Sequence, residues 1–141
     1  EMSLVAAHYE LASDIVSICR AQNPDVLLLA NGELQSVEEA RAKAAEHGFD
    51  GMMLGRAIFG NPWLFKGESP ADHTPEERVR ALHTLATYFS ELAPAKHFAT
   101  LKKHVKAFIN GWDGSAELRG KLMETNDLEG FTKVLVASGL L

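Results

Sequence analysis

Two short apolar runs, residues 26–30 (VLLLA) and 51–54 (GMML), constrain this chain more than anything else in it. A continuous apolar run of that length is the mark of a strand buried on both faces of a parallel sheet. Between the runs, Ser36 with Glu39 three residues later is a capping-box signature. It predicts a helix over 37–47, stopped by Gly48. Upstream, Leu11, Ile15, Ile18 and Cys19 recur at spacings of three and four, which predicts an amphipathic helix over 8–21 broken by Asn23-Pro24-Asp25. The order helix, strand, helix, strand implies parallel strands joined by crossover helices. Two strands alone would leave both faces and both edges of a sheet open, so they are expected to belong to a larger α/β body.

From Thr74 the pattern changes. Thr74-Pro75-Glu76-Glu77 combines a cap, a proline at the first helical position and acids in the first turn. Val79, Leu82, Leu85, Ala86 and Phe89 carry that helical period to the break at Pro94. A second helix is predicted over 96–110, with Phe98, Leu101, Val105 and Phe108 on its apolar side. Ser115 begins a third and Asn126-Asp127 caps a fourth. The predicted fold is an α/β piece over 1–66, then an all-α helical bundle over 74–141, with the boundary in KGESPADHT.

Composition narrows the function classes. No apolar run reaches the roughly 20 residues of a membrane span. The first eight residues lack the basic start and apolar core of a secretory signal. A single cysteine, Cys19, supports no internal disulfide framework and fits a reducing cytoplasm. It lies mid-helix among Val16 and Ile18 and reads as a small hydrophobe rather than a nucleophile. The start at Glu1 suggests a fragment, a processed product or a trimmed chain, and composition sets no oligomeric state. Net charge is −5, all of it in residues 1–65; residues 96–121 hold six Lys or Arg against two acids. The acidic total argues against a free-standing nucleic-acid binder. The basic stretch argues the other way, because a phosphate field acts over only about 8 Å at physiological salt.

Both strand ends run into glycine-containing turns: Asn31-Gly32-Glu33 after the first and Gly55-Arg56 after the second. Glycine lets backbone N–H groups come close to a ligand, and arginine offers a planar fork suited to phosphate. A short helical turn is predicted near 57–60, and its first amides would favour an anion. In barrels of eight β/α units a phosphate site lies where the loops after the last two strands meet such an extra helix. Taken singly, Asn-Gly is an ordinary turn and Gly-Arg is commonplace. Their order along the chain is what points to a phosphate.

These segments carry a resemblance. NGELQSVEEA (31–40) and DGMMLGRAIFGNPWLF (50–65) are similar to the final two β/α units of the tRNA-dihydrouridine synthases. LKKHVKAF (101–108) and GWDGSAELRGKLMET (111–125) resemble that family's C-terminal helical domain, and EMSLVAAH resembles the stretch after its His-Gly-Arg-Thr motif. The resemblance implies the end of an FMN-dependent TIM barrel, a flavoprotein oxidoreductase that uses NADPH to reduce uridine to 5,6-dihydrouridine in tRNA. It implies Asn31, Gly32, Glu33, Gly55 and Arg56 as cofactor neighbours, with Glu33 standing where the family commonly has Asp. The family's catalytic cysteine and flavin-side lysine lie in the earlier half of the barrel. No catalytic residue is therefore implied here: the chain alone is expected to be inactive, and its α/β piece, with two of eight strands, poorly packed by itself.

On the second C-terminal helix Lys96, Lys103 and His104 share a side, Lys102 and Lys106 form an i, i+4 stripe, and Arg119 enters from the next helix. Lys102, Lys103, His104 and Arg119 are the candidate tRNA surface; a solvated basic face is the plainer reading. The six histidines show no metal-ligand spacing. Trp63 is expected to plug the junction between the two parts, with stacking on RNA as the lesser reading. Two other functions stay open: another FMN or phosphate-binding barrel oxidoreductase, and a non-catalytic RNA-binding helical module.

Overall fold

The computed structural model describes residues 6–92, 94 and 96–141. Among the described residues six α-helices and two β-strands follow one another as α1 (Ala12–Gln22), β1 (Leu29–Asn31), α2 (Val37–His47), β2 (Gly51–Met53), α3 (Pro75–Ser90), α4 (Ala99–Phe108), α5 (Ser115–Glu124) and α6 (Leu128–Ala137). Two units result. An α/β unit takes the described residues up to Ile58 together with Leu64–Gly67; a helical unit takes those of Phe59–Trp63 and Glu68–Leu141.

In the α/β unit, β1 and β2 pair in parallel, with Leu29 opposite Gly51 and Asn31 opposite Met53. β1 begins three residues later than the apolar run suggests. Ahead of it Asp50 takes over: its N–H donates to the Leu28 carbonyl at 2.9 Å, and its carboxylate accepts the Leu28 N–H at 2.8 Å. Arg20 on α1 donates to the same carboxylate at 3.1 Å. The Leu28 N–H, with Arg20 behind it, holds the Asp50 carboxyl below its ordinary range. Leu27 and Leu29 are 79% and 73% exposed, so the expected burial on both faces is not realised in this two-stranded sheet. The cause is simple: among the described residues each strand has one neighbour and no layer of helices closes both sides. Ile15 and Ile18 on α1 are likewise exposed. The predicted 8–21 helix is a 3₁₀ turn, Tyr9–Leu11, followed by α1.

Helix α2 forms as its caps dictate. Ser36 Oγ accepts the Glu39 N–H at 3.0 Å, and Gly48 leaves the helix at φ +75°. The Glu39 carboxylate accepts from Gln35, one residue before the cap.

The helical unit is built on an apolar core. Leu82, Leu101, Ile109, Leu122, Phe131 and Leu135 are each 0% exposed. Helix α3 packs on α4, α4 on α5, α5 on α6, and α6 returns to α3. Thr74 and Glu77 form a complete reciprocal capping box at the start of α3, with Pro75 at the first helical position. Helix α4 starts at Ala99, three residues later than expected, and Phe98 at its cap supplies no side-chain bond. The Gly114 turn (φ +78°) sets up α5, and Asp127 caps α6 by accepting the Gly130 N–H at 2.7 Å. Among the described residues no helix is long and apolar enough to cross a membrane.

Candidate functional site

The register of the sheet brings the two glycine loops together. Asn31 and Met53 end their strands side by side, and the chain turns through Gly32-Glu33 after one and Gly55-Arg56 after the other. Arg56 Nη2 donates to Glu33 Oε1 at 2.7 Å, while Glu33 Oε2 accepts the Ala7 N–H at 3.3 Å. One carboxylate thus ties three segments of chain. The Arg56 and Glu33 side chains are 61% and 44% exposed. An exposed pair of this kind stabilises the fold by only about 0–1 kcal/mol, so its effect is mainly to aim the guanidinium.

The glycines differ in what they are for. A Cβ at Gly55 would meet nothing within 4 Å, so its backbone faces open space. A Cβ at Gly32 would lie 2.0 Å from the Tyr9 hydroxyl. That glycine is required by Tyr9, whatever else it touches. The Tyr9 ring stacks on His47 with centroids 4.9 Å apart, and its hydroxyl is buried without a partner. Burial, then the Glu33 charge, pushes the phenol's pKa up.

The expected helical turn after the second strand is the 3₁₀ turn Arg56–Ile58. Three residues carry little macrodipole. The capacity to hold an anion at this rim therefore rests on the Arg56 fork and the open backbone at Gly55, and less on helix-end amides. Asn31 is exposed beside them.

The four basic candidates separate into two pairs. Lys102 Nζ donates to the Met123 carbonyl at 2.7 Å and so caps the last turn of α5. Arg119 Nη1 donates to the Ile109 carbonyl at 2.8 Å. Arg78 does the same for Asn110 at 3.0 Å, so two arginines hold the turn that ends α4. Lys102 on α4 and Arg119 on α5 thus each have a carbonyl partner inside the helical unit. Lys103 and His104 instead flank Phe59. The Phe59 and His104 rings stack with centroids 5.0 Å apart and planes 13° from parallel; Lys103 Nζ lies 5.8 Å from the Phe59 centroid. Burial, then the Lys103 charge, lowers the His104 pKa, which keeps the imidazole neutral at neutral pH.

Trp63 stacks on His73 inside the helical unit, with centroids 3.7 Å apart. Cys19 is half-buried on α1. Among the described residues no group of three or more His, Cys, Asp or Glu side chains is placed to hold a metal ion.

The model of the dihydrouridine synthase (Dus) family matches residues 6–138. The chain belongs to that family. Three relatives illustrate the match. A Staphylococcus epidermidis (strain ATCC 35984) protein named "Probable tRNA-dihydrouridine synthase" is 35% identical over 130 residues, 91% of this chain and 40% of that protein. Its namesake in Staphylococcus aureus (strain Mu50) is 35% identical over 130 residues, 91% of this chain and 39% of that protein. The "Probable tRNA-dihydrouridine synthase 2" of Bacillus subtilis (strain 168) is 33% identical over 131 residues, 92% of this chain and 40% of that protein. The chain thus spans about two fifths of the length of the curated relatives it matches.

Three residues of this Dus chain escaped the sequence reading. Tyr9 has no motif around it, and only its contact with Gly32 reveals its role. Asn61, 7% exposed, donates to the Glu68 carbonyl at 3.0 Å and accepts the Trp63 N–H at 3.1 Å. Phe59 follows the Gly-Arg turn rather than lying on a periodic face, so periodicity does not single it out.

Proposed function

We propose that this chain is the C-terminal part of an FMN-dependent tRNA-dihydrouridine synthase: the closing β/α units of a barrel, followed by a helical tRNA-docking domain. The observation that carries the reading is the Glu33–Arg56 pair, which brings the loops after two adjacent parallel strands to one rim. The donor chemistry fits a phosphate monoester. Arg56 spends one N–H on Glu33 and keeps the rest of its fork, and Gly55 leaves room for a ligand to reach its backbone. Arg56 and Gly55 would hold the phosphate, and Asn31 and the Gly32-Glu33 turn the polar ribityl chain. FMN, recharged by NADPH, supplies hydride chemistry toward the uracil 5,6 bond. The coverage of two fifths of each relative supports placing the ring-side residues, including the proton donor, outside this chain. This chain's share is to anchor the cofactor's phosphate end and to help hold a tRNA whose target base must leave its stack. A lone Cys19 suits a cytoplasmic setting.

Flavin fluorescence titrations with FMN and riboflavin test the anchor. FMN should bind more tightly than riboflavin, and Arg56→Gln should weaken FMN about tenfold or more while leaving riboflavin unchanged. In cells carrying Arg56→Gln, mass spectrometry of tRNA nucleosides should show less dihydrouridine. Equal binding of the two flavins by the parent chain would overturn the phosphate assignment.

A further inference from the structure

The segment Phe59–Trp63 is held on the helical unit far more firmly than a connecting loop requires. Gly60 is buried at φ +74°, and a Cβ there would stand 2.5 Å from the Ala107 carbonyl oxygen, so the backbone lies directly on α4. Asn61 is buried with both ends of its amide bonded, and Trp63 stacks on His73. This strap holds Phe59 with its ring against His104 yet 51% exposed. The Lys103 ammonium lies over that ring, 5.8 Å from its centroid, and Lys103 and Lys106, three residues apart on α4, are exposed and enter no ion pair among the described residues. They contribute to the surplus of four positive charges between residues 96 and 121. A fixed, half-exposed aromatic ring beside ammonium groups without carboxylate partners is the combination that binds single-stranded nucleic acid: the ring takes a base in place of the Lys103 ammonium, which moves to a phosphate. A paired base has both faces covered in its stack and cannot use such a ring.

We infer that Phe59 is a stacking platform for an unpaired base of RNA, with Lys103 and Lys106 contacting the flanking phosphates and His104 backing the ring. This rests on the tRNA-docking reading above and deepens it by naming the contact and the strandedness it selects. The platform is preordered by the strap, so little side-chain freedom is lost when a base arrives.

The test is fluorescence anisotropy with the whole chain and three labelled probes: a tRNA transcript, a short single-stranded oligoribonucleotide and an RNA duplex. Phe59→Leu keeps an apolar group on His104 but removes the aromatic face. It should weaken the tRNA and the single strand about fivefold or more without changing the salt slope. Phe59→Trp should bind at least as tightly as the parent. Lys103→Gln should lower the salt slope for the single strand by about 0.7. The inference is overturned if Phe59→Leu binds both probes as tightly as the parent; the tRNA-docking reading survives that result. It is also overturned if sedimentation shows Phe59→Leu dissociating a dimer with RNA affinity unchanged, since the ring would then cover a second copy. If the parent binds none of the probes at low salt, both the inference and the docking reading fall.

Discussion

The two units spend their apolar side chains in opposite ways. In the helical unit Leu82, Leu101, Leu122 and Phe131 are wholly buried in one core. Among the described residues of the α/β unit the buried hydrophobics are Ala12, Leu34, Ala40 and Leu64, while Leu27, Leu29 and Ile18 face outward. Local signals are equally good in both: Ser36 caps α2 as Thr74 caps α3. Capping and periodicity decide where elements begin and end. They do not supply the layer that covers a sheet, and the α/β unit is therefore held by polar bonds such as those of Asp50 to Leu28 and Arg20 more than by a core.

That contrast can be broken by substitution. Phe131→Ala should cost about 3–5 kcal/mol in chemical denaturation, whereas Leu29→Ala, at a 73% exposed position, should change stability by less than about 0.5 kcal/mol. Equal losses would mean that the α/β unit has a core comparable to that of the helical one. Native-state hydrogen exchange gives the same contrast amide by amide, with α4 and α6 protected well beyond β1 and β2. A smaller effect separates the caps: Thr74→Ala should cost about 1 kcal/mol, and Ser36→Ala less, because the Glu39 carboxylate bonds to Gln35 rather than returning to the cap itself.

Acid should also separate the units. His104 has its folded pKa lowered, so the unfolded chain takes up the proton first. The stability this contributes is full above the ordinary imidazole pKa and is lost as pH falls through the lower, folded value. Asp50 behaves in the same sense but in the carboxylate range, losing its contribution only in stronger acid. Both tryptophans, Trp63 and Trp112, belong to the helical unit, so their fluorescence follows the first effect. His104→Gln should flatten the stability profile on the acid side of neutrality, and an unchanged profile would remove His104 as its source. A small effect is also expected at Glu33→Gln, about 1 kcal/mol or less in stability, because the Arg56 pair is largely solvated.

Sequence made some of this legible for definite reasons. The bounds of α2 follow from Ser36 and Gly48, and the start of α3 from Thr74-Pro75, since caps act on their own backbone. The parallel pairing followed from the order of elements. What stayed hidden depends on partners distant in the chain. Nothing near Lys102 announces that its ammonium will meet the Met123 carbonyl, and nothing near Arg119 points to Ile109. The same holds for Gly32, which as Asn-Gly signals a turn while its nearest constraint is Tyr9. The rim formed by Glu33 and Arg56 lay between these cases: both residues could be named in advance, but not the bond that joins them.

The meeting of Gly60 with Ala107 means that two positions 47 residues apart are dimensioned for each other. Enlarging either would lift the segment off α4 and tilt the Phe59 ring from its seat on His104. In a library randomised at both places, functional clones should recover the two smallest side chains together, and a bulkier residue at one should not be rescued by any choice at the other.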